Sequence, residues 1–332
     1  VLILNPYAVI TDEDWLDELL NHAQRPEVGV VGAKLFNPDG RVLHAGLILG
    51  LRGPAGLPFY GEALHAAGYM FRAQVVQDLS AVGADCLMVR KSVFDSVGGL
   101  DEQDLARTLH EVDLCLRVGQ SGYLVVWTPH AQLALGAQPA ASEQAEEQAL
   151  QGQEQEVFYK RWLPIVAHDP AYNPNLALHG LSGSSFNLEP GLRSGWSPFS
   201  RTQLPKVLAL PVNASAIGHY RVTQPLIELE AAGRAHGRIH YNLPTLIEVE
   251  RLSPDVIVLQ GRYSEGPISE IPSLQKYSNA RRIYELDDFV INVPHRNAHI
   301  RNMPGKDEMA TLVRRAIGMC DRVVVSTESL GN

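Results

Sequence analysis

Two carboxylates two residues apart, Glu111 and Asp113, stand at the head of the segment HEVDLCLRVGQ, directly after a run rich in glycine and aspartate. A carboxylate in a first helical turn meets free backbone N–H groups and the positive end of the helix dipole. Asp113 and Arg117 are four apart with the acid first, the order that favours an intrahelical ion pair. Glu111 has no such local partner and is therefore the residue free to act as a general base on a hydroxyl group. Taken alone, an acidic first turn is also an ordinary helix-start signal, and both readings stand at this point.

The elements that must hold these acids can be read around them. Val112, Cys115, Leu116 and Gly119 recur at helical spacing, which predicts that this face packs on a sheet while Glu111, Asp113, Arg117 and Gln120 point elsewhere. The helix follows a strand and a glycine-rich turn. Residues 138–155, rich in Gln, Glu and Ala, show no apolar face and read as a solvated helix or loop. Residues 180–203 are rich in Gly, Ser and Pro and read as a linker.

The segment GADCLMVRKSVFDSVGGLDE, followed by HEVDLCLR, resembles the acceptor-side half of the GT-A domain of family 2 glycosyltransferases. Residues 28–50 resemble that family's central strand and turn, and residues 158–176 the tail of its bacterial surface-polysaccharide branch. The resemblance covers about residues 1–178. It implies that Glu111 takes the place of the catalytic base, with Asp85, Asp113 and His44 on the acceptor side. His44, in GRVLHAG, is also readable as a hydrogen-bonded structural histidine, and Arg90 and Arg117 as structural ion-pair partners.

The family also implies Mg²⁺ or Mn²⁺ at the leaving diphosphate, held on hard oxygen ligands. Here the chain departs from the pattern. Tyr7 stands where the family has its metal-holding aspartate, Asn5 offers a neutral oxygen on the donor side, and Leu135 and Gly136 replace a histidine-containing motif. A phenol is a poor Mg²⁺ ligand at neutral pH, so no metal ligand is assigned.

From Leu204 the pattern changes. KVLALPVN, DVIVLQGR, RRIYELDD and DRVVVSTE read as strands separated by helical stretches, which predicts a parallel sheet with crossover helices and ligands at the carboxyl ends of the strands. Leu226, Leu229 and Ala232 are expected to share the buried face of the first helix. The residues Gly218 to Val222, GHYRV, with ELDD at 285–288, resemble the N-terminal half of family 4 GT-B glycosyltransferases. That resemblance implies an anion site at Gly218 and Arg221, and Asp287 and Asp288 are readable as ligand contacts or as helix caps.

The expected organisation is thus α/β throughout: a GT-A portion at 1–179, a linker at 180–203 and a Rossmann-like GT-B half-domain at 204–332. The chain starts in an apolar strand without methionine and stops where a strand meets a helix-start signal, so a fragment of a longer protein is expected. A net charge of −9 argues against a nucleic-acid partner. Cys86, Cys115 and Cys320 lack paired spacing and read as reduced core residues. No apolar run nears the ~18 residues that span a bilayer. The resemblances together imply an inverting, cytoplasmic enzyme of bacterial polysaccharide biosynthesis, with peripheral attachment at the inner membrane as an open option. It would take a sugar from a nucleotide-sugar donor to a glycan or lipid-linked glycan. The alternative is a degenerate GT-A domain that serves as scaffold or glycan-binding module for a GT-B partner.

Overall fold

The protein was analysed as a computed structural model, which describes residues 1–136, 145–178, 186–189, 204–292 and 306–331. The chain divides into two compact units, Val1–Leu192 and Arg193–Asn332.

The first unit is a mixed sheet with helices against it. Its strands are β1 (Leu2–Leu4), β2 (Ala8–Ile10), β3 (Val28–Phe36), β4 (Val42–His44), β5 (Ile48–Leu49), β6 (Ala55–Gly56), β7 (Gln77–Leu79), β8 (Cys86–Val89) and β9 (Leu124–Leu135). Its helices are α1 (Trp15–Ala23), α2 (Lys91–Ser96), α3 (His110–Gln120) and α4 (Ala145–Ala167). The sheet runs β1-β8-β3-β9-β2, with β4 added to β3 and β7 to β9, while β5 and β6 pair apart from it. β3 and β9 are parallel, and the neighbouring pairs are antiparallel.

β3 is buried along nearly its whole length because α1 and α3 both lie against β3 and β9. A strand covered in this way reads as a continuous apolar run rather than an alternating one. Val31, Ala33 and Leu35 share one core cluster with Trp15 and Leu19 of α1. Lys34 is the exception inside that run. It is fully buried, and burial lowers its ammonium to about 8.

α3 differs from its expected face. Val112, Cys115 and Leu116 are buried as predicted, but so are Asp113, Leu114 and Val118, while Gly119 is exposed. The reason is a second cover: α4 supplies Arg161 and Trp162 to Asp113 from the side away from the sheet. The described part of the stretch expected at 138–155 as a solvated helix or loop is helical from Ala145 and exposed at residues 150–153, departing only where Glu154 is buried. Beyond it Phe158, Trp162, Leu163 and Val166 anchor the second half of α4. Residues 137–144 lie outside the described residues, as does most of the expected linker. Within that linker, the described residues 186–189 pack on the first unit, where the Phe186 ring meets Phe59, Tyr69 and Tyr172 edge to face.

The second unit is a five-stranded parallel sheet in the order β11-β10-β12-β13-β14. Its strands are β10 (Lys206–Leu210), β11 (His236–Ile239), β12 (Val256–Gln260), β13 (Arg281–Leu286) and β14 (Arg322–Val325). Its helices are α5 (Ala216–Gly218), α6 (Gln224–Ala231), α7 (Leu246–Leu252), α8 (Glu265–Tyr277), α9 (Lys306–Gly318) and α10 (Glu328–Gly331). α7 opens on a capping box in which Thr245 and Glu248 exchange hydrogen bonds. Leu226 is buried as expected, but Leu229 and Ala232 are exposed; the buried row after β10 is instead Gly218, Val222 and Leu226, four apart. Leu229 is 44% exposed. A π-helical turn at His219–Thr223, which carries Val222 of that row, joins α5 to α6.

All three cysteines are free. Burial pushes the Cys86 and Cys115 thiols up to about 12 and Cys320 to about 11, so they are unreactive thiols at neutral pH. Among the described residues no helix is long and apolar enough to cross a membrane.

Candidate functional site

Antiparallel pairing of β1 with β8 sets Leu4 against Cys86, which brings the residues just beyond them, Asn5 and Asp85, face to face. The Asn5 backbone N–H donates to the Asp85 carbonyl at 2.8 Å, and its side-chain amide donates to Asp85 Oδ1 at 2.6 Å. Asp85 then lines a cleft of about 480 Å³ with His44, Tyr60, Asn37, Asp39 and the Leu135–Gly136 end of β9. Gly136 N–H donates to the Tyr7 carbonyl at 2.9 Å, so the turn after β1 and the end of β9 are tied together.

His44 is buried at the end of β4 with its ring against Gly83. A Cβ at residue 83 would lie 2.2 Å from His44 Nε2, so only glycine lets the turn before Asp85 pass this ring. The Gly46 N–H donates to His44 Nδ1 at 3.2 Å, which leaves the proton of the neutral ring on Nε2. Burial lowers His44 to about 4 against the opposing pull of Asp85, so the ring is uncharged at neutral pH.

Glu111 is the second residue of α3 and its side chain is 21% exposed. Burial raises its carboxyl above the ordinary glutamate range, the Asp85 charge raises it further, and its own backbone N–H and His110 oppose. The same Asp85 that lines the cleft therefore acts electrostatically on Glu111. His110 Nε2 stands 3.8 Å from Glu111 Oε2.

The structure thus places His44 and Asp85 at one cleft, with Asn5 outside its lining and bonded to Asp85, while Glu111 lies outside the cleft lining and feels the Asp85 charge only as a minor contribution beside burial. Asp113 does not belong to that group, and its expected acceptor contact is corrected. It is fully buried, with Oδ2 held by Arg117 Nε at 2.7 Å and Oδ1 by Trp162 Nε1 at 2.8 Å and a more distant Arg161. Arg117 also donates to the Val97 and Gly99 carbonyls, and Arg90 to those of Ala23 and Arg25, so both arginines tie loops to helices. Arg90 is in that respect a carbonyl partner rather than half of an ion pair.

In the second unit, Gly218 and Arg221 also take other work than the expected anion site. A Cβ on Gly218 would sit 1.9 Å from the Asn213 carbonyl oxygen, so this glycine serves a close backbone approach. Arg221 directs Nε and one terminal nitrogen to Oε1 of the buried Glu285, at 2.7 and 2.5 Å. Its guanidinium is committed to a carboxylate of its own fold. Asp287 accepts from Tyr263 at 3.5 Å, and its carbonyl accepts from the Ser326 hydroxyl at 2.6 Å.

The donor set around Tyr7 does not fit a divalent cation. Asp85 gives Oδ1 to Asn5, Asn5 Oδ1 accepts from the Tyr7 N–H at 2.9 Å, and Tyr7 is 43% exposed and contributes a phenol. Among the described residues no three His, Cys, Asp or Glu side chains are grouped to hold a metal ion.

Several supporting residues escaped the sequence reading. Lys34 Nζ donates to the Leu64 and Ala73 carbonyls at 2.8 and 2.9 Å and so holds the loop that follows Tyr60 at the cleft wall. Asp169 accepts from the Leu49 and Ala171 N–H groups and from Ser80, pinning the segment after α4 to the sheet region. The signal for Lys34 was present in the sequence: one lysine within an otherwise apolar strand.

No protein-family model matches the chain. It is 43% identical over 183 residues, 54% of its length, to the uncharacterized protein y4gI of Sinorhizobium fredii. It is 37% identical over 181 residues, again 54% of its length, to the O-antigen biosynthesis protein RfbC of Myxococcus xanthus. Over 146 residues, 40% of its length, it is 32% identical to an N-acetylglucosaminyl-diphospho-decaprenol L-rhamnosyltransferase of Mycobacterium tuberculosis. The chain spans only 20%, 14% and 45% of those three proteins, respectively. Over about half of its length, then, it is similar to bacterial proteins named for O-antigen biosynthesis and rhamnosyl transfer.

Proposed function

We propose that the chain is part of a bacterial glycosyltransferase of surface-polysaccharide assembly, and that its first unit is the acceptor-side portion of a GT-A domain with Glu111 as general base. The observation that carries this reading is the partly buried Glu111 in the first turn of α3, its carboxyl raised mainly by burial and to a lesser degree by Asp85 of the cleft. A half-buried carboxylate with a raised pKa is a stronger base than a solvated one, and Asp85, whose charge adds to that rise, lines a cleft large enough for a sugar ring. In the proposed step the acceptor hydroxyl gives its proton to Glu111 while its oxygen bonds to the anomeric carbon. The bond from that carbon to the nucleotide diphosphate breaks with its electron pair on the leaving oxygen, and the anomeric centre inverts. Asp85 and neutral His44 would orient acceptor hydroxyls, one by accepting and one by donating. Asn5 fixes the Asp85 carboxylate.

The donor is read as a nucleotide sugar and the acceptor as a glycan or lipid-linked glycan, handled on the cytoplasmic side. The similarity to an O-antigen protein and to a rhamnosyltransferase supports this class. The second unit is read as the N-terminal half of a GT-B fold, supported by its parallel sheet and by the GHYRV and ELDD residues. The domain limits 1–179 and 204–332, with the linker between them, belong to the same reading.

A second reading has its own observation. Tyr7, the engaged oxygen of Asn5 and the Leu135–Gly136 end of β9 leave no carboxylate in the place of the family's metal ligand. They favour a GT-A domain kept as scaffold or glycan-binding module. Assay of the full-length protein with nucleotide sugars separates the two. Loss of turnover in a folded Glu111→Gln variant supports the base, and unchanged turnover supports the scaffold.

A further inference from the structure

Glu111 stands between two pinned points of the chain, and both pins come from α4. On the near side is Leu109, a non-glycine residue in the left-handed region with φ of 62°, which starts α3 without a side-chain cap. Such a conformation persists only where its surroundings hold it. The two peptide groups before it are held by Glu154 of α4. Glu154 Oε1 accepts from the Arg107 N–H at 3.1 Å, and Oε2 accepts from the Thr108 N–H at 2.8 Å and its hydroxyl at 2.6 Å. Glu154 is itself buried, so these bonds stay out of competition with water.

On the far side is Asp113, two residues beyond Glu111. Trp162 donates to it at 2.8 Å, and Arg161 reaches it at 3.4 Å while also binding Asp101 at 2.7 Å and Asp104 at 2.6 Å. One face of α4 therefore fixes the whole loop from Asp101 to the first turn of α3. None of these contacts touches the cleft. Their common effect is to set where the Glu111 carboxylate sits and how dry it is.

We propose that Glu154, Arg161 and Trp162 are positioning residues for Glu111, a role that rests on reading Glu111 as the base. The glutamate in the Gln- and Glu-rich run that precedes the apolar half of α4 is thus a working part of the site. It acts through the backbone of residues 107–109 rather than through contact with a substrate.

The test uses the full-length protein with Glu154→Gln and Trp162→Phe beside Glu111→Gln. Glutamine keeps the shape of Glu154 but presents an amide to donors it must accept from, and phenylalanine keeps most of the Trp162 ring without its N–H. Two readouts are taken: the Glu111 carboxyl titration by ¹³C NMR, assigned by the signal lost in Glu111→Gln, and kcat and KM with a nucleotide sugar. The expected result is a Glu111 midpoint that moves down toward the ordinary glutamate range in both positioning variants. With it, kcat falls about 10- to 100-fold at unchanged donor KM, the scale of loss from a small misplacement. An unchanged midpoint in folded variants overturns the positioning role. If Glu111→Gln keeps full turnover, the base reading fails by itself, and the titration still decides whether α4 sets the carboxyl environment. Should Glu154→Gln fail to fold, Trp162→Phe gives the same decision.

Discussion

Asn5 and Asp85 form a two-point bridge: the amide of one donates to the carboxylate of the other at 2.6 Å, and the backbone N–H of Asn5 donates to the carbonyl of Asp85 at 2.8 Å. The backbone bond continues the β1–β8 ladder by one residue, and the side-chain bond fixes an acid that lines the cleft. Replacing Asn5 by leucine keeps the ladder and removes the amide. The expected cost is about 1–3 kcal/mol in chemical denaturation, because a half-buried carboxylate oxygen loses its donor. On the proposed reading, the acceptor KM rises and the donor KM does not, since Asp85 is then free to turn.

Much of this arrangement was legible in the sequence and part of it was not, for identifiable reasons. The apolar runs at 28–36 and 86–89 are strands, and the alternation of strands and helices after residue 204 is a parallel sheet, because burial of continuous apolar stretches leaves few other outcomes. Asn5 was expected on the donor side and Asp85 with His44 on the acceptor side, and the amide bond from Asn5 to Asp85 across the β1–β8 pair was not legible in the local pattern of either residue. Asp113 was misread because its cover comes from Trp162, 49 residues later, and local periodicity carries no information about that distance. Glu154 was missed for the same reason: its partners are backbone N–H groups, which no residue pattern marks. Arg221 was read as an anion ligand, and its anion is Glu285 of the same fold, 64 residues away.

Glu111 sets a pH dependence of known sign. Its folded carboxyl lies above the ordinary glutamate value of 4.5, so between those two values the folded protein binds more protons than the unfolded chain. Stability is therefore highest below 4.5 with respect to this group and declines as pH rises through the folded value. Glu111→Gln removes that decline. The variant is expected to be more stable than the parent at neutral pH, with the difference opening from about pH 4.5 upward. Denaturant titrations of both proteins at about pH 4, 5, 6 and 7 give the measurement. A difference that stays constant with pH contradicts the raised carboxyl.

His44 acts in the opposite sense. Its folded value is lowered to about 4 from 6.5, so below pH 6.5 the unfolded chain takes up a proton that the buried ring refuses. Stability is full above 6.5 and is lost as pH falls toward 4, by an amount on the order of 3 kcal/mol at the acid end. Gly83→Ala forces a Cβ to 2.2 Å from the ring. It is expected to cost about 1–3 kcal/mol through overpacking and to lessen this acid sensitivity as the ring is pushed toward water. Thermal melts of both proteins between pH 4.5 and 7.5 check both parts.

Arg221 offers a test that separates a phosphate ligand from a structural pair. Glu285 is buried at the carboxyl end of β13, both bonds from Arg221 fall on its Oε1, and its Oε2 has no hydrogen-bond partner among the described residues. Arg221→Ala would leave that carboxylate buried and unpaired, the situation that costs about 3–5 kcal/mol, toward the low end here because the arginine side chain is 35% exposed. The second change, Glu285→Gln, removes the charge that needed the pair. In the double variant most of the loss from Arg221→Ala is therefore recovered, and the double-mutant cycle reports a coupling of about 1–3 kcal/mol. A guanidinium held in place mainly for an external phosphate would give a different pattern. Arg221→Ala would then leave stability within about 0.5 kcal/mol of the parent, the cycle would show no coupling, and the loss would appear in nucleotide-sugar binding instead.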